Sequence, residues 1–137
     1  MTPNPYQGST IDHLNVTVTD VDRSLAIYVP ALGVLGIEKL LDFTGGPDDD
    51  YVRMVGFGSG RKPFFWLVQG TTVDPELHVA FSAPTRDAVR EFHAAALAAG
   101  ARDKLSPRVC PEYHENYFGG FVYDPDGINL EAVCHLE

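Results

Sequence analysis

The chain has 137 residues, 45% of them hydrophobic and 21% charged, which is the composition of one globular domain and not of a disordered or membrane-spanning chain. A formal net charge of −9 provides no basic footprint, so neither nucleic acid nor an anionic membrane surface is expected as a partner. Cys110 and Cys134 lie far apart without Cys-x-x-Cys spacing and read as reduced thiols of a cytoplasmic protein, with a single disulfide as the alternative.

Residues 1–9, "MTPNPYQGS", read as a flexible N-terminal arm without the basic-then-apolar pattern of a signal peptide, and 10–137 as a single domain. A first strand is predicted over about 10–19, with Leu14, Val16 and Val18 on one face and His13, Asn15, Thr17 and Thr19 on the other. Asp20 caps a helix, "DVDRSLAIYVPALG", in which Pro30 suggests a kink or an early end. Strands follow at 36–43, 51–57 and 63–69, with "TGGPDDD" as a solvated loop after the first of them. The order then begins again: a strand at 76–83, a helix at 84–100, and strands near 101–108, 117–123 and 127–135. The last two are joined by "DPDG" at 124–127, suited to a type I turn.

A constant shift of 65 residues overlays the halves, carrying His13 onto His78, Asp22 onto Asp87, Ala31 onto Ala96, Leu32 onto Leu97, Lys39 onto Lys104 and Leu40 onto Leu105. The predicted fold class is therefore α+β: two tandem βαβββ modules, about 10–70 and 75–137, forming a cup-shaped mixed-sheet pseudo-barrel with its helices outside.

In such a pair His13 and His78 occupy equivalent first strands and can face each other across the pseudo-twofold axis. Glu131, in the middle of the apolar last strand "INLEAVCH", needs a partner, because an unpaired buried carboxylate is costly. Two neutral imidazoles and one carboxylate supply three of the ligands that Zn, Fe, Mn or Ni takes as a divalent metal, leaving positions open for water or substrate. Taken singly, each histidine also reads as a hydrogen-bonded strand end, and Glu131 as an edge carboxylate.

The segments "IDHLNVTVTDVDRSLAIYVPALGVLG", "ELHVAFSAPTRDAVREFH" and "YFGGFVYDPDGINLEAV" resemble the vicinal oxygen chelate superfamily. That superfamily contains glyoxalase I, extradiol dioxygenases, fosfomycin resistance enzymes and bleomycin resistance proteins. The resemblance runs from about residue 10 to the end, and implies a cup of two βαβββ modules around a divalent metal held by His13, His78 and Glu131. It also implies a fourth protein ligand in glyoxalase I-like members. The 65-residue shift puts Trp66 of "PFFWLVQG" there, which cannot bind a metal as a carboxylate does. A three-ligand site is closer to the extradiol dioxygenases and the fosfomycin-modifying enzymes. The phosphonate chemistry of the latter ranks lower, because few basic residues are expected near the cup.

The loop "CPEYHENYF" (110–118) places Tyr113, His114 and Tyr117 before the seventh strand, where His114 or Tyr117 would act as general acid or base or orient a bound oxygen. The bland reading is a loop with surface aromatics. Trp66, Phe64, Tyr113 and Asn15 are expected to line an aromatic pocket for a small oxygen-bearing substrate. His135 stands about 13 Å from Glu131 at strand rise, too far to share a metal, and His93 reads as structural. The expected function is Lewis-acid catalysis of lyase, isomerase or ring-cleaving dioxygenase type. The alternative is a metal-free binder of a drug or other small molecule, of the bleomycin resistance type. A homodimer is compatible with either.

Overall fold

The computed structural model describes residues 10–45 and 52–137; the arm at 1–9, most of the Asp-rich loop and the first residue of the strand expected at 51–57 lie outside the described residues. The elements run β1 (Leu14–Val18), α1 (Val21–Val34), β2 (Glu38–Gly45), β3 (Val52–Gly58), β4 (Phe65–Gln69), β5 (His78–Ser82), α2 (Arg86–Ala98), β6 (Arg102–Val109), β7 (Phe118–Tyr123) and β8 (Asn129–Cys134). They form two four-stranded mixed sheets, ordered β1-β4-β3-β2 and β5-β8-β7-β6, in which only β1–β4 and β5–β8 are parallel. Among the described residues the two sheets share no strand pairing, so the architecture is an α+β pair of modules and not a closed barrel.

Each helix is set by its ends. The Asp20 carboxylate accepts from Arg23 N–H at 3.1 Å and the Thr85 hydroxyl from Ala88 N–H at 3.0 Å, caps at positions one repeat apart in the chain. At the other end, Gly36 and Gly100 take the left-handed backbone that a side chain resists (φ 74° and 109°), and the next residue's N–H closes back onto Leu32 and Ala96. Pro30 does not end α1 as the sequence suggested. It is exposed, so its ring displaces no packed neighbour, and the helix continues to Val34. β2 likewise runs two residues into the expected loop, with Thr44 and Gly45 paired to Arg53 and Val52.

One continuous core joins the modules. Val16, Val18, Phe65 and Leu67 from the first sheet and Val79, Phe81, Leu130 and Ala132 from the second bury the inner faces, with the Phe65 and Phe81 rings 5.1 Å apart, edge to face. α1 packs on α2. The "DPDG" turn forms, with Gly127 N–H bonded to the Asp124 carbonyl, and also clamps the modules together. The buried Tyr28 hydroxyl of α1 donates to Asp124 at 2.7 Å, while Asp126 accepts from Thr19 and Arg23.

The repeat survives in the registers. Asn15 pairs with Trp66 as Ala80 pairs with Glu131, and Gly56 lies beside Trp66 as Phe121 lies beside Glu131. Those positions keep the 65-residue shift. α2 is one residue shorter than α1, however, and register breaks fall at Leu40 in β2 and Lys104 in β6, so the shift there is 64 until a second break in β6, between Leu105 and Arg108, restores 65. The sequence identities Lys39/Lys104 and Leu40/Leu105 therefore do not mark equivalent structural positions. Cys110 and Cys134 are both buried and both free thiols. Neither helix is long and apolar enough to cross a membrane.

Candidate functional site

Side chains alternate across a strand, so the residues turned from the core share an open face. On the second sheet these are His78, Ala80 and Ser82 of β5, Asn129, Glu131 and Val133 of β8, and Gly119, Phe121 and Tyr123 of β7. His78 opens β5 and is half-exposed, whereas Glu131 at the centre of β8 has no exposed surface. His78 Nε2 donates to Glu131 Oε1 at 2.8 Å, and the Tyr117 hydroxyl donates to Glu131 Oε2. Burial pushes the Glu131 carboxyl up, opposed by these two hydrogen bonds and by the charges of His78 and Lys104. The Tyr117 hydroxyl is raised by burial and then by its bond to the carboxylate.

Behind Tyr117 the loop folds on itself. Its ring lies 4.7 Å from Tyr113, 5.6 Å from His114 and 5.3 Å from His135 between centroids. His114 Nε2 and His135 Nδ1 are 2.8 Å apart, and burial together with His114 lowers the His135 pKa. A small cavity of about 260 Å³ opens beside this cluster, lined by Lys104, Arg108, Cys110, Tyr113 and Phe121.

The structure thus brings together His78, Glu131, Tyr117, His114 and Tyr113. The other expected residues belong to the first module. His13 immediately precedes β1, half-exposed, with Nδ1 2.7 Å from Asp12. Asn15 and Trp66 share the open face of the first sheet, where the Trp66 ring covers Gly56 and meets Phe43 edge to face at 5.9 Å. Phe64 lines a separate apolar cavity of about 490 Å³ between the edges of β1 and β5, with Ile11, Leu14, Val79 and Ser82. Among the described residues no three His, Cys, Asp or Glu side chains are grouped to hold a metal ion. The pair His78–Glu131 nonetheless fits half of such a set, since ligands about 2.0–2.2 Å from one ion stand roughly 3 Å apart.

Three features escaped the sequence reading. Lys104 and Arg108 do line the second-module face, because register breaks in β6 disturb the alternation that would have shown it. Asn129 Oδ1, opposite His78, is buried without a hydrogen-bond partner. Gly119 has a role no motif signals: a Cβ there would stand 2.8 Å from Glu131 Oε2. His93 is structural, buried and 2.8 Å from Asp103.

A duplicated βαβββ domain with imidazole and carboxylate donors on an open sheet face defines a class of small-molecule scaffolds. The chain belongs to the Glyoxalase/Bleomycin resistance protein/Dioxygenase superfamily, whose family model matches residues 10–132. Solved structures share the fold at low identity. A glyoxalase/bleomycin resistance protein from Albidiferax ferrireducens T118 is 23% identical, with 92% of this chain and 99% of that one covered and a TM-score of 0.66. A glyoxylase/bleomycin resistance protein/dioxygenase domain from Frankia sp. EAN1pec is 20% identical, over 93% and 98%, with a TM-score of 0.68. The genomically encoded fosfomycin resistance protein FosX from Listeria monocytogenes, complexed with Mn(II) and sulfate ion, is 17% identical over 93% of each chain, with a TM-score of 0.63. No curated protein matches the chain.

Proposed function

We propose that this protein is a divalent-metal-dependent enzyme whose cation is held by His78 and Glu131, with His13 as the third ligand supplied by a second copy of the chain. The observation that carries this reading is the fully buried Glu131, aimed through Oε1 at a half-exposed imidazole on an open face. A buried carboxylate needs charge compensation, and the Tyr117 and His78 hydrogen bonds with the nearby Lys104 charge supply only part of it, since burial still pushes the Glu131 carboxyl up. His13 occupies the matching position in the first module, and among the described residues it is not grouped with the pair. The open face of that module also leaves Leu41 and Phe43 exposed, at 46% and 44%. A twofold pairing that lays this face against the second module of another copy would cover the apolar surface and bring His13 to the donors, completing two cups.

A bound divalent cation would polarise a substrate oxygen and stabilise the negative charge that develops on it. The chain's own residues would do the rest. His114 and Tyr117 flank the donor pair, in a position to hold or move a proton. Phe121 and Tyr113, with Trp66, Phe64 and Asn15 from the other module, would enclose a small oxygen-bearing substrate. Lyase, isomerase and ring-cleaving dioxygenase chemistries all fit this arrangement, in a cytoplasmic setting. Lys104 restores substrates with an anionic group, such as phosphonates, that the sequence had ranked lower, whereas Arg108 is already paired with Glu112 at 2.8 Å. A second reading, a metal-free binder of a cationic aromatic molecule, draws on the Phe43–Trp66 face and the net charge of −9.

Metal analysis of protein purified without chelator or affinity-tag metal separates the two. Near-stoichiometric metal that is lost in His78→Ala is the expected result, followed by turnover of a catechol, hemithioacetal or epoxide. A wild-type protein that takes up no divalent cation yet binds an aromatic cation tightly would sink the enzyme reading.

A further inference from the structure

The two oxygens of Glu131 are treated differently. Oε1 points to His78 on the open side. Oε2 takes the Tyr117 hydroxyl and is hemmed in by Gly119, where even a methyl group would stand 2.8 Å from the oxygen and 3.1 Å from the Tyr117 ring. Much of the 110–117 segment serves to hold that hydroxyl in place. Cys110 N–H donates to the Tyr117 carbonyl at 2.7 Å, and Tyr117 N–H to the His114 carbonyl at 3.2 Å. Tyr113, His114 and His135 then pack around the ring. An ordinary surface loop needs none of this.

Resting on the reading of Glu131 as a cation ligand, we propose that Tyr117 is its positioning residue, occupying Oε2 so that Glu131 ligates through Oε1 alone. A carboxylate binds a cation through one oxygen or two, and a second oxygen held by no donor leaves both modes open. The hydrogen bond to a charged acceptor holds the second oxygen back. One coordination position then stays open for substrate.

Cobalt(II) titration followed by visible absorption tests this, because the d–d spectrum reports coordination number while a merely structural role would move only the melting temperature. Tyr117→Phe keeps the packed ring and deletes the hydroxyl. Its expected result is a melting temperature lowered by the lost hydrogen bond to the buried carboxylate, a changed Co(II) spectrum and affinity roughly 10-fold weaker, in the range of lost partners of metal ligands. Gly119→Ala displaces Oε2 from the other side and is expected to change the spectrum in the same sense, which keeps the test decisive if the first variant folds poorly. A spectrum identical to wild type in the folded variants overturns the proposal. Failure of the wild type to bind Co(II) at all overturns the ligand reading beneath it, and that outcome is visible in the wild-type titration alone.

Discussion

The open faces of the two modules are built on one scaffold and carry opposite chemistry. On the first, Trp66 lies over Gly56 and against Phe43, half-exposed and apolar. On the second, the equivalent position is Glu131, fully buried between Phe121, Gly119 and Tyr117 and bonded to His78. Both faces keep a glycine on the middle strand, but for different occupants: Gly56 makes room for an indole, Gly119 for a carboxylate oxygen. Duplication supplied the frame, and the neighbouring strands decided whether its central position became a wall or a donor.

Exchanging the two central residues should break the symmetry most strongly. Glu131→Trp forces an indole into a site with no free volume, and a loss of about 3 kcal/mol or more is expected in urea unfolding. Trp66→Glu gives up packing on a half-exposed face and should cost about 1–2 kcal/mol. Equal losses would mean that the two environments are less distinct than their burial indicates. The glycines give the next contrast. Gly119→Ala meets an oxygen fixed by a hydrogen bond and should destabilise by about 1–3 kcal/mol, whereas Gly56→Ala meets the far edge of the Trp66 ring, which can shift, and the Pro63 Cβ at 3.0 Å, and should cost about 1 kcal/mol. Gly33→Ala in α1, with open space around it, should stabilise by about 0.5–1 kcal/mol and serves as the control.

The smallest effect concerns pH and is confined to the second module. The His135 pKa is depressed below its ordinary 6.5, so the folded state favours the neutral ring. Its contribution to stability is present above pH 6.5 and is lost as pH falls through that value toward the lower folded pKa. Thermal melts from pH 7.5 to 5 should therefore fall less steeply in His135→Gln than in wild type. An unchanged slope would remove His135 from the account.

Much of this was legible in the chain. The cap at Asp20, the alternation of Val16 and Val18 against Asn15 and Thr17, and the equivalence of Trp66 with Glu131 all follow local rules that need no partner strand. Pro30 misled because sequence shows the missing N–H but not whether the ring faces solvent. The cations of β6 were hidden by register breaks, of which Pro107 marks the second because it has no N–H to donate, while the one at Lys104 depends on what β7 offers opposite. His13 was legible as the equivalent of His78, while its separation from the pair is a matter of how the modules pack, and that is settled by the side chains of the shared core.

The one-residue difference between the helices has a consequence for anyone recombining the modules. A chimaera that replaces one half with a copy of the other at a uniform 65-residue offset would splice β2 or β6 a residue out of step, turning its side chains to the wrong face. A crossover between β1 and the first turn of α1, or between β3 and β4, preserves the phase on both sides. The chain is therefore modular at its strand pairs and not at its helix exits, so graft boundaries should follow that division.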